Sequence, residues 1–203
     1  MNIDKILLKS SEYLLHACDK QTEEMFPQKI ADIVKFHAKG AALSALGTAW
    51  VPGAGAFIAN AAGIGFIWGM YARINNAIDL KTSENITKTL ASGIVTNLGT
   101  YFIGNTLLSA AFSFIPGLGS VGASVLTGGM VYALTIVSGL IYLKILTNIF
   151  TAGKDPSTFS ASQLKKFAES AKNEMDIEGI IDSAKNYFKD NYSDEAEKAA
   201  RKK

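Results

Sequence analysis

The sequence predicts an all-α protein: a helical bundle built on two glycine-rich helical hairpins with Pro-Gly tips and flanked by amphipathic helices. Apolar residues recur at helical spacing through most of the chain, and no stretch alternates with the period of a strand. Charged residues avoid the middle of the chain, and a Pro-Gly motif within that middle occurs twice, 64 residues apart. Together these three observations favour hairpins of apolar helices.

Charge divides the chain into three parts. The first 39 residues carry six basic and six acidic side chains, and residues 144–203 carry eleven basic and ten acidic side chains. The 104 residues between them hold five charges, which separate the uncharged runs Gly40–Ala72 and Thr89–Leu143. Sixteen of the 18 glycines also lie in this central part.

We expect a single helical domain over residues 1–203, because a chain of 21.7 kDa is long enough to bury one core. Its parts follow the charges. They are amphipathic N-terminal helices at 1–39, apolar glycine-rich core hairpins at 40–150, and a linker with amphipathic C-terminal helices at 151–203.

The N-terminal part predicts two helices. Apolar residues at helical spacing support both, first Ile3, Ile6, Leu7, Tyr13 and Leu14, then Phe26, Ile30, Ile33, Val34 and His37. The second helix starts near Thr22, has Pro27 near its first turn, and runs on to the first hairpin tip.

Each hairpin has a Pro-Gly tip, where proline cannot continue the incoming helix and glycine permits the turn. The tip residues are Pro52, Gly53, Gly55, Pro116, Gly117 and Gly119. A helix over 55–78 follows the first tip, and a helix over about 119–150 follows the second. Between them, a helix capped by Thr82 or Ser83 reaches Phe114.

Small residues recur four apart in these apolar helices. We assign to close helix packing the residues Gly63, Gly65, Gly69, Gly128 and Gly129. Such spacing is common where membrane helices meet, and it suits close packing in a soluble bundle equally well. As interhelical hydrogen-bond partners we expect Asn60, Asn97 and Asn105.

The C-terminal part begins with a break. The stretch Gly153–Ser157 ends the last core helix, and Ser160 with Gln163 forms a capping box for a short helix. An amphipathic helix follows, with a frayed, charged tail from Ser193. Its apolar face consists of Ile177, Ile180, Ile181, Ala184, Tyr187 and Phe188.

Little in the sequence points to catalysis. Twenty basic against 18 acidic residues leave no surplus for a nucleic-acid partner. Cys18 and His16 stand two apart and share no helix face, and His37 is the other histidine. The pattern G-x-G-x-x-G over 117–122 follows a helix, not a strand, and lacks the acidic residue a dinucleotide site needs. We therefore predict no enzyme, no cofactor and no metal.

Two stretches, residues 53–72 and 118–143, are long enough to cross a hydrocarbon core of about 30 Å. The tips carry no charge that would hold a loop in water. The charged residues instead lie at the open ends of the hairpins, at Lys39, Arg73, Lys88 and Lys144. This arrangement favours hairpins that enter a membrane from one side. In the competing interpretation, four terminal helices wrap the centre in a soluble bundle.

The stretch from about Ala41 to Phe150 resembles the helical domain of unknown-function family 697, which often follows a small GTPase domain in bacteria. The resemblance lies in Trp50–Gly55, Met70–Ile74 and Phe114–Ser120. Ala72 stands where the family usually has a glycine. The resemblance implies an all-α module, membrane-associated or coupled to a GTPase, without known catalysis.

We expect a non-enzymatic, membrane-associated helical protein whose hairpins dock or insert from the cytoplasmic side of a bacterial membrane, with lipid as its partner. The charges among the first fifteen residues do not fit a signal peptide, in keeping with a cytoplasmic start. Two alternatives stay open. One is a soluble cytoplasmic interaction module that pairs with a GTPase or with itself, and the other is a pore-forming protein with a hydrophobic hairpin.

Overall fold

The structure, a computed structural model, describes residues 26–48, 55–80, 84–98, 119–154 and 158–201. Within these ranges the chain forms α-helices and no strand, so the all-α prediction is confirmed. The helices are α1 Phe26–Thr48, α2 Gly55–Ala77, α3 Glu84–Asn97, α4 Gly119–Thr151, α5 Ala161–Asn173 and α6 Ile177–Arg201. The predicted first helix, supported by Ile3, Ile6, Leu7, Tyr13 and Leu14, lies outside the described residues.

The most apolar helix, α4, forms the centre of the bundle. Every residue from Val131 to Leu143 is buried, and α4 packs most extensively against α6 and α1. Among the described residues, Thr127–Phe150 is the one helical stretch long and apolar enough to cross a bilayer, and 89% of its most apolar 18 residues are buried inside the protein. The other helices therefore wrap α4 and keep its apolar surface from water.

Contacts along α4 define the directions of α1 and α2. A Cβ on Gly139 would lie 3.1 Å from Val34, and a Cβ on Gly128 would lie 3.5 Å from Leu46, so α1 runs antiparallel to α4. Two hydrogen bonds join α2 to α4, one between Tyr71 and Ser138 and one between Asn75 and Tyr142. The partners are 67 residues apart in sequence in both pairs, so the two helices run parallel. The end of α1 therefore lies beside the starts of α2 and α4.

The connection after α2 turns the chain back into α3. Asp79 has a positive φ of 57°, and the N–H of Leu80 donates to the Asn75 carbonyl, which closes the end of α2. Thr87 on α3 then accepts a hydrogen bond from Asn75. In the described residues α3 packs mainly on α5 and α2, and its contact with α4 is slight.

The predicted break after α4 is present at Gly153. Its φ of 66° is left-handed, and the N–H groups of Gly153 and Lys154 donate to the carbonyls of Phe150 and Ile149. This is the pattern with which glycine commonly ends a helix. The capping box at the start of α5 is also confirmed, because Ser160 and Gln163 bond reciprocally.

The prediction of a frayed tail from Ser193 is wrong. Helix α6 continues to Arg201, and Ala196 is fully buried. Lys39 on α1 forms an ion pair with Glu195 at 3.0 Å, and the Lys39 ammonium also lies 4.7 Å from the centre of the Tyr192 ring. The tail remains helical because α6 crosses α1 there and buries part of its last turns.

Candidate functional site

The uncharged parts of four helices meet at one end of the bundle. Because α1 and α2 run in opposite directions and α4 runs parallel to α2, the end of α1 lies beside the starts of α2 and α4. Helix α3 starts beside the end of α2 and carries no charge after Lys88. We call this region the uncharged end, formed by Gly40–Thr48, Gly55–Ala72, Thr89–Asn97 and Gly119–Leu143.

A band of charge borders the uncharged end. It contains Lys39, Arg73, Lys88 and Lys144, one from each of α1 to α4. From the contacts of α1 with α4, Lys39 stands at the height of about residue 134 of α4. The 15 residues from Gly119 to that height extend about 22 Å, which exceeds one leaflet's hydrocarbon layer and falls short of the full core of about 30 Å.

One charged helix covers a side of the uncharged end. Phe188 and Lys185 of α6 pack at Gly128 and Gly129 of α4, and Tyr132 of α4 lies against the Phe188 ring with centroids 5.4 Å apart. The opposite face of α6 is exposed and charged. The start of α4 is therefore shielded on this side by an amphipathic helix.

The glycines predicted to pack helices differ in their surroundings. A Cβ on Gly128 would lie 2.9 Å from the Phe188 ring, and one on Gly129 would lie 3.7 Å from the Lys185 carbonyl oxygen. A Cβ on Gly69 would lie 3.5 Å from the His37 ring. Gly65 is exposed, and a Cβ there would meet no described atom within 4 Å, so the structure does not place it at a helix contact.

Of the other predicted residues, Gly63 lies in α2, without described surroundings. Gly55 and Gly119 are the first residues of α2 and α4, where the predicted helices begin. The remaining tip residues, Pro52, Gly53, Pro116 and Gly117, lie outside the described residues. The Pro-Gly turns themselves therefore stay a prediction.

A buried polar network joins α2, α3 and α4 at the height of the charged band. The rings of Tyr71 and Tyr142 stack with centroids 3.9 Å apart. The Tyr71 hydroxyl donates to the Ser138 carbonyl at 3.0 Å, and the Tyr142 hydroxyl donates to Asn75 Oδ1 at 2.6 Å. Asn75 in turn donates to Thr87 Oγ1 at 3.3 Å.

This network holds the helices in register rather than preparing a reaction. Burial raises the pKa of the Tyr71 and Tyr142 hydroxyls, so both stay protonated. Sequence reasoning missed the network, because it selected other asparagines. The signal that could have found it is a pair of polar residues four apart on each helix, Tyr71 with Asn75 and Ser138 with Tyr142.

His37 of α1 is buried against α2. Its Nδ1 lies 2.8 Å from the Ile33 carbonyl oxygen, and its ring faces Phe66 edge-on. Burial lowers the pKa of His37, and the positive charge of Arg73 lowers it further, against the opposing effect of the hydrogen bond to Ile33. His37 is therefore neutral near pH 7.

An open groove of about 990 Å³ lies between the start of α1 and the end of α2, at the opposite end of both helices from the uncharged end. Phe36 is 62% exposed and is the one large hydrophobic side chain among the described residues that is exposed to solvent. The guanidinium of Arg73 lies 5.1 Å from the centre of the Phe36 ring. Ile33 and Ala77 add apolar lining to the groove. The other lining residues are polar or charged.

In the part of the chain that the structure describes, no three His, Cys, Asp or Glu residues cluster as metal ligands would. No family model matches the chain, and no curated protein or solved structure is significantly similar to it.

Proposed function

We propose that the protein is a non-enzymatic helical protein that docks on the cytoplasmic face of a bacterial membrane through its uncharged end. The Pro-Gly tips of its two hairpins enter the lipid first. The observation that carries this proposal is the meeting of both uncharged runs of the sequence at one end of the bundle, above a band of charge. A soluble bundle needs no such segregation, because charged residues at its helix ends cost nothing in water.

The length of the uncharged end supports docking in one leaflet. About 22 Å of helix lies beyond the height of Lys39, so the tips reach into the hydrocarbon while Lys39 stays at the headgroups and Arg73 and Lys144 lie farther from the tips. The three lysines of the band are ion-paired with carboxylates of the protein, Lys39 with Glu195, Lys88 with Glu84 and Lys144 with Glu174, so docking rests on the apolar tips rather than on headgroup charge. The amphipathic helix α6 covers one side of this end at Gly128 and Gly129 and presents a charged, exposed face there, so the opposite side of the end is the one expected to meet lipid.

A second candidate, a soluble interaction module, is favoured by a different observation. Every residue of α4 from Val131 to Leu143 is buried, and α6 packs on α4 more extensively than any other described helix does. A core wrapped in this way needs no lipid. The partner is then a GTPase, as the family resemblance implies, or a second copy of the chain. A pore-forming role, the third candidate, requires α4 to leave this wrapping and insert.

Liposome flotation of the purified, detergent-free protein separates these candidates. The vesicles contain phosphatidylcholine with phosphatidylglycerol, and the protein is tested at low and high salt. We expect flotation that survives high salt, because apolar insertion is not screened. Flotation that disappears in salt means that surface charge alone holds the protein. Protein that stays at the bottom as a monodisperse species favours the soluble module, and dye leakage from the vesicles favours the pore former.

Matched charge variants test the docking end. The variant Ala54→Asp with Leu118→Asp places two charges at the predicted tips, and Asn76→Asp with Ala152→Asp places two at exposed sites near the other end. An aspartate costs about 2.5–3.5 kcal/mol at the membrane centre on an insertion scale, so the tip pair should lose about tenfold or more of its binding. The control pair should float like the wild type. Unchanged flotation of the tip pair contradicts docking by the tips.

A further inference from the structure

We infer that the groove between α1 and α2 is the docking site of the chain's own N-terminal segment, residues 1–20. This inference is independent of membrane docking, because the groove lies on the other side of the charged band from the uncharged end. It assigns an occupant to the one surface of the described bundle where a large hydrophobic side chain, Phe36, stands exposed.

The shape of the groove suits a short amphipathic helix. Its α1 side runs from Gln28 to Phe36, which is about 12 Å of helix, and Phe36 and Ile33 provide an apolar strip along it. The segment's apolar residues recur at helical spacing and span about 18 Å as a helix; they are Ile3, Ile6, Leu7, Tyr13 and Leu14. An amphipathic helix that packs its apolar face into a hydrophobic groove is a common mode of recognition.

The segment is tethered beside the groove. Residue 25 leads directly into Phe26, the first residue of α1, so the groove begins within one turn of the attachment point. The seven residues 19–25 can span at most about 23 Å, which is enough to turn the chain back along α1. A tether of this length keeps the segment at millimolar effective concentration, ahead of any free competitor.

Charge also favours this occupant. Residues 1–25 carry five acidic and three basic side chains, whereas the groove is lined by Lys29 and Arg73 against the single carboxylate of Asp32. That carboxylate already accepts a hydrogen bond from Gln28 at 2.8 Å. Residues 1–20 themselves are balanced, with three acidic and three basic side chains, and the acidic surplus comes from Glu23 and Glu24 in the tether that leads into the basic groove.

The single native cysteine provides the test. Cys18 stands four residues after Leu14 and eight before Phe26, where a docked segment turns back near the height of Asn76. In the full chain, Asn76→Cys is treated with a short bismaleimide and compared with Ser162→Cys, an equally exposed site on α5. We expect the intramolecular Cys18 cross-link to form about tenfold more in the Asn76→Cys variant, because docking holds Cys18 beside Asn76; the part of this excess that depends on docking is the part lost when the apolar residues of the segment are changed.

Two further variants define the outcome. Leu7→Asp with Leu14→Asp should reduce the cross-link to the level of the α5 control, whereas Asn2→Asp with Ser11→Asp adds the same charge outside the apolar set and should keep it. Equal cross-linking at Asn76 and Ser162 overturns the inference. A cross-link that appears only between two chains also overturns it, because the groove then holds the segment of a second copy. All variants should retain the wild-type circular dichroism, since both cysteine sites are exposed.

Discussion

Replacing Gly128 by alanine is expected to loosen the contact between α4 and α6. The new Cβ would lie 2.9 Å from Cε1 and Cζ of Phe188 and 3.5 Å from Leu46. Carbon atoms prefer about 3.5–4.0 Å, so the ring has to retreat by at least about 0.6 Å. It has little room, because Phe188 is fully buried and lies against Tyr132 and Tyr192 with centroids 5.4 and 5.6 Å away.

The magnitude follows from two opposing effects. Overpacking a core by one methyl group costs about 1–3 kcal/mol, and alanine in place of glycine within a helix gains about 1 kcal/mol. Gly65→Ala is the matched control, because it makes the same exchange within a helix at an exposed site without a described neighbour within 4 Å. The helix propensity cancels between the two variants, so their free energies of unfolding should differ by about 2 kcal/mol.

Urea unfolding followed by far-UV circular dichroism measures this difference, and for a chain of this size it corresponds to about 6 °C in Tm. The double variant Gly128→Ala with Phe188→Leu should recover part of the loss, since leucine leaves room for the new methyl group. If Gly128→Ala and Gly65→Ala are equally stable, Phe188 does not press on α4, and the close approach of α6 is wrong.

Three further perturbations test the core and the caps. Tyr142→Phe removes the hydroxyl that donates to the buried side-chain Oδ1 of Asn75 at 2.6 Å and should cost about 1–3 kcal/mol in urea unfolding; an unchanged midpoint contradicts the network. Ser160→Ala removes the cap that bonds Gln163 and should cost about 1 kcal/mol, seen as faster amide exchange in α5. Because folding lowers the pKa of His37, the unfolded chain binds that proton more readily, and stability should fall as the pH drops through its ordinary value of 6.5. His37→Asn should flatten this dependence between about pH 7.5 and 5, and an identical profile contradicts it.

The sequence alone determined the local structure of the described chain. Helical spacing predicted α1, α2 and α4 close to their observed bounds, and Gly153 marked the break after α4. It also identified the Ser160 cap. These features depend on residues within one or two turns of each other, so local propensity and periodicity are enough to find them.

Only the tertiary structure decided which helices meet. A helix that is apolar on all sides, as α4 is, has no preferred face in its own pattern, so periodicity cannot say that α6 and α1 cover it more than α3 does. The same limit hid the pairing of Tyr71 with Ser138 and of Tyr142 with Asn75, which join residues 67 apart. Helix α6 extends past Ser193 for the same reason, because its last turns are stabilised by contacts with α1 that lie far away in the sequence.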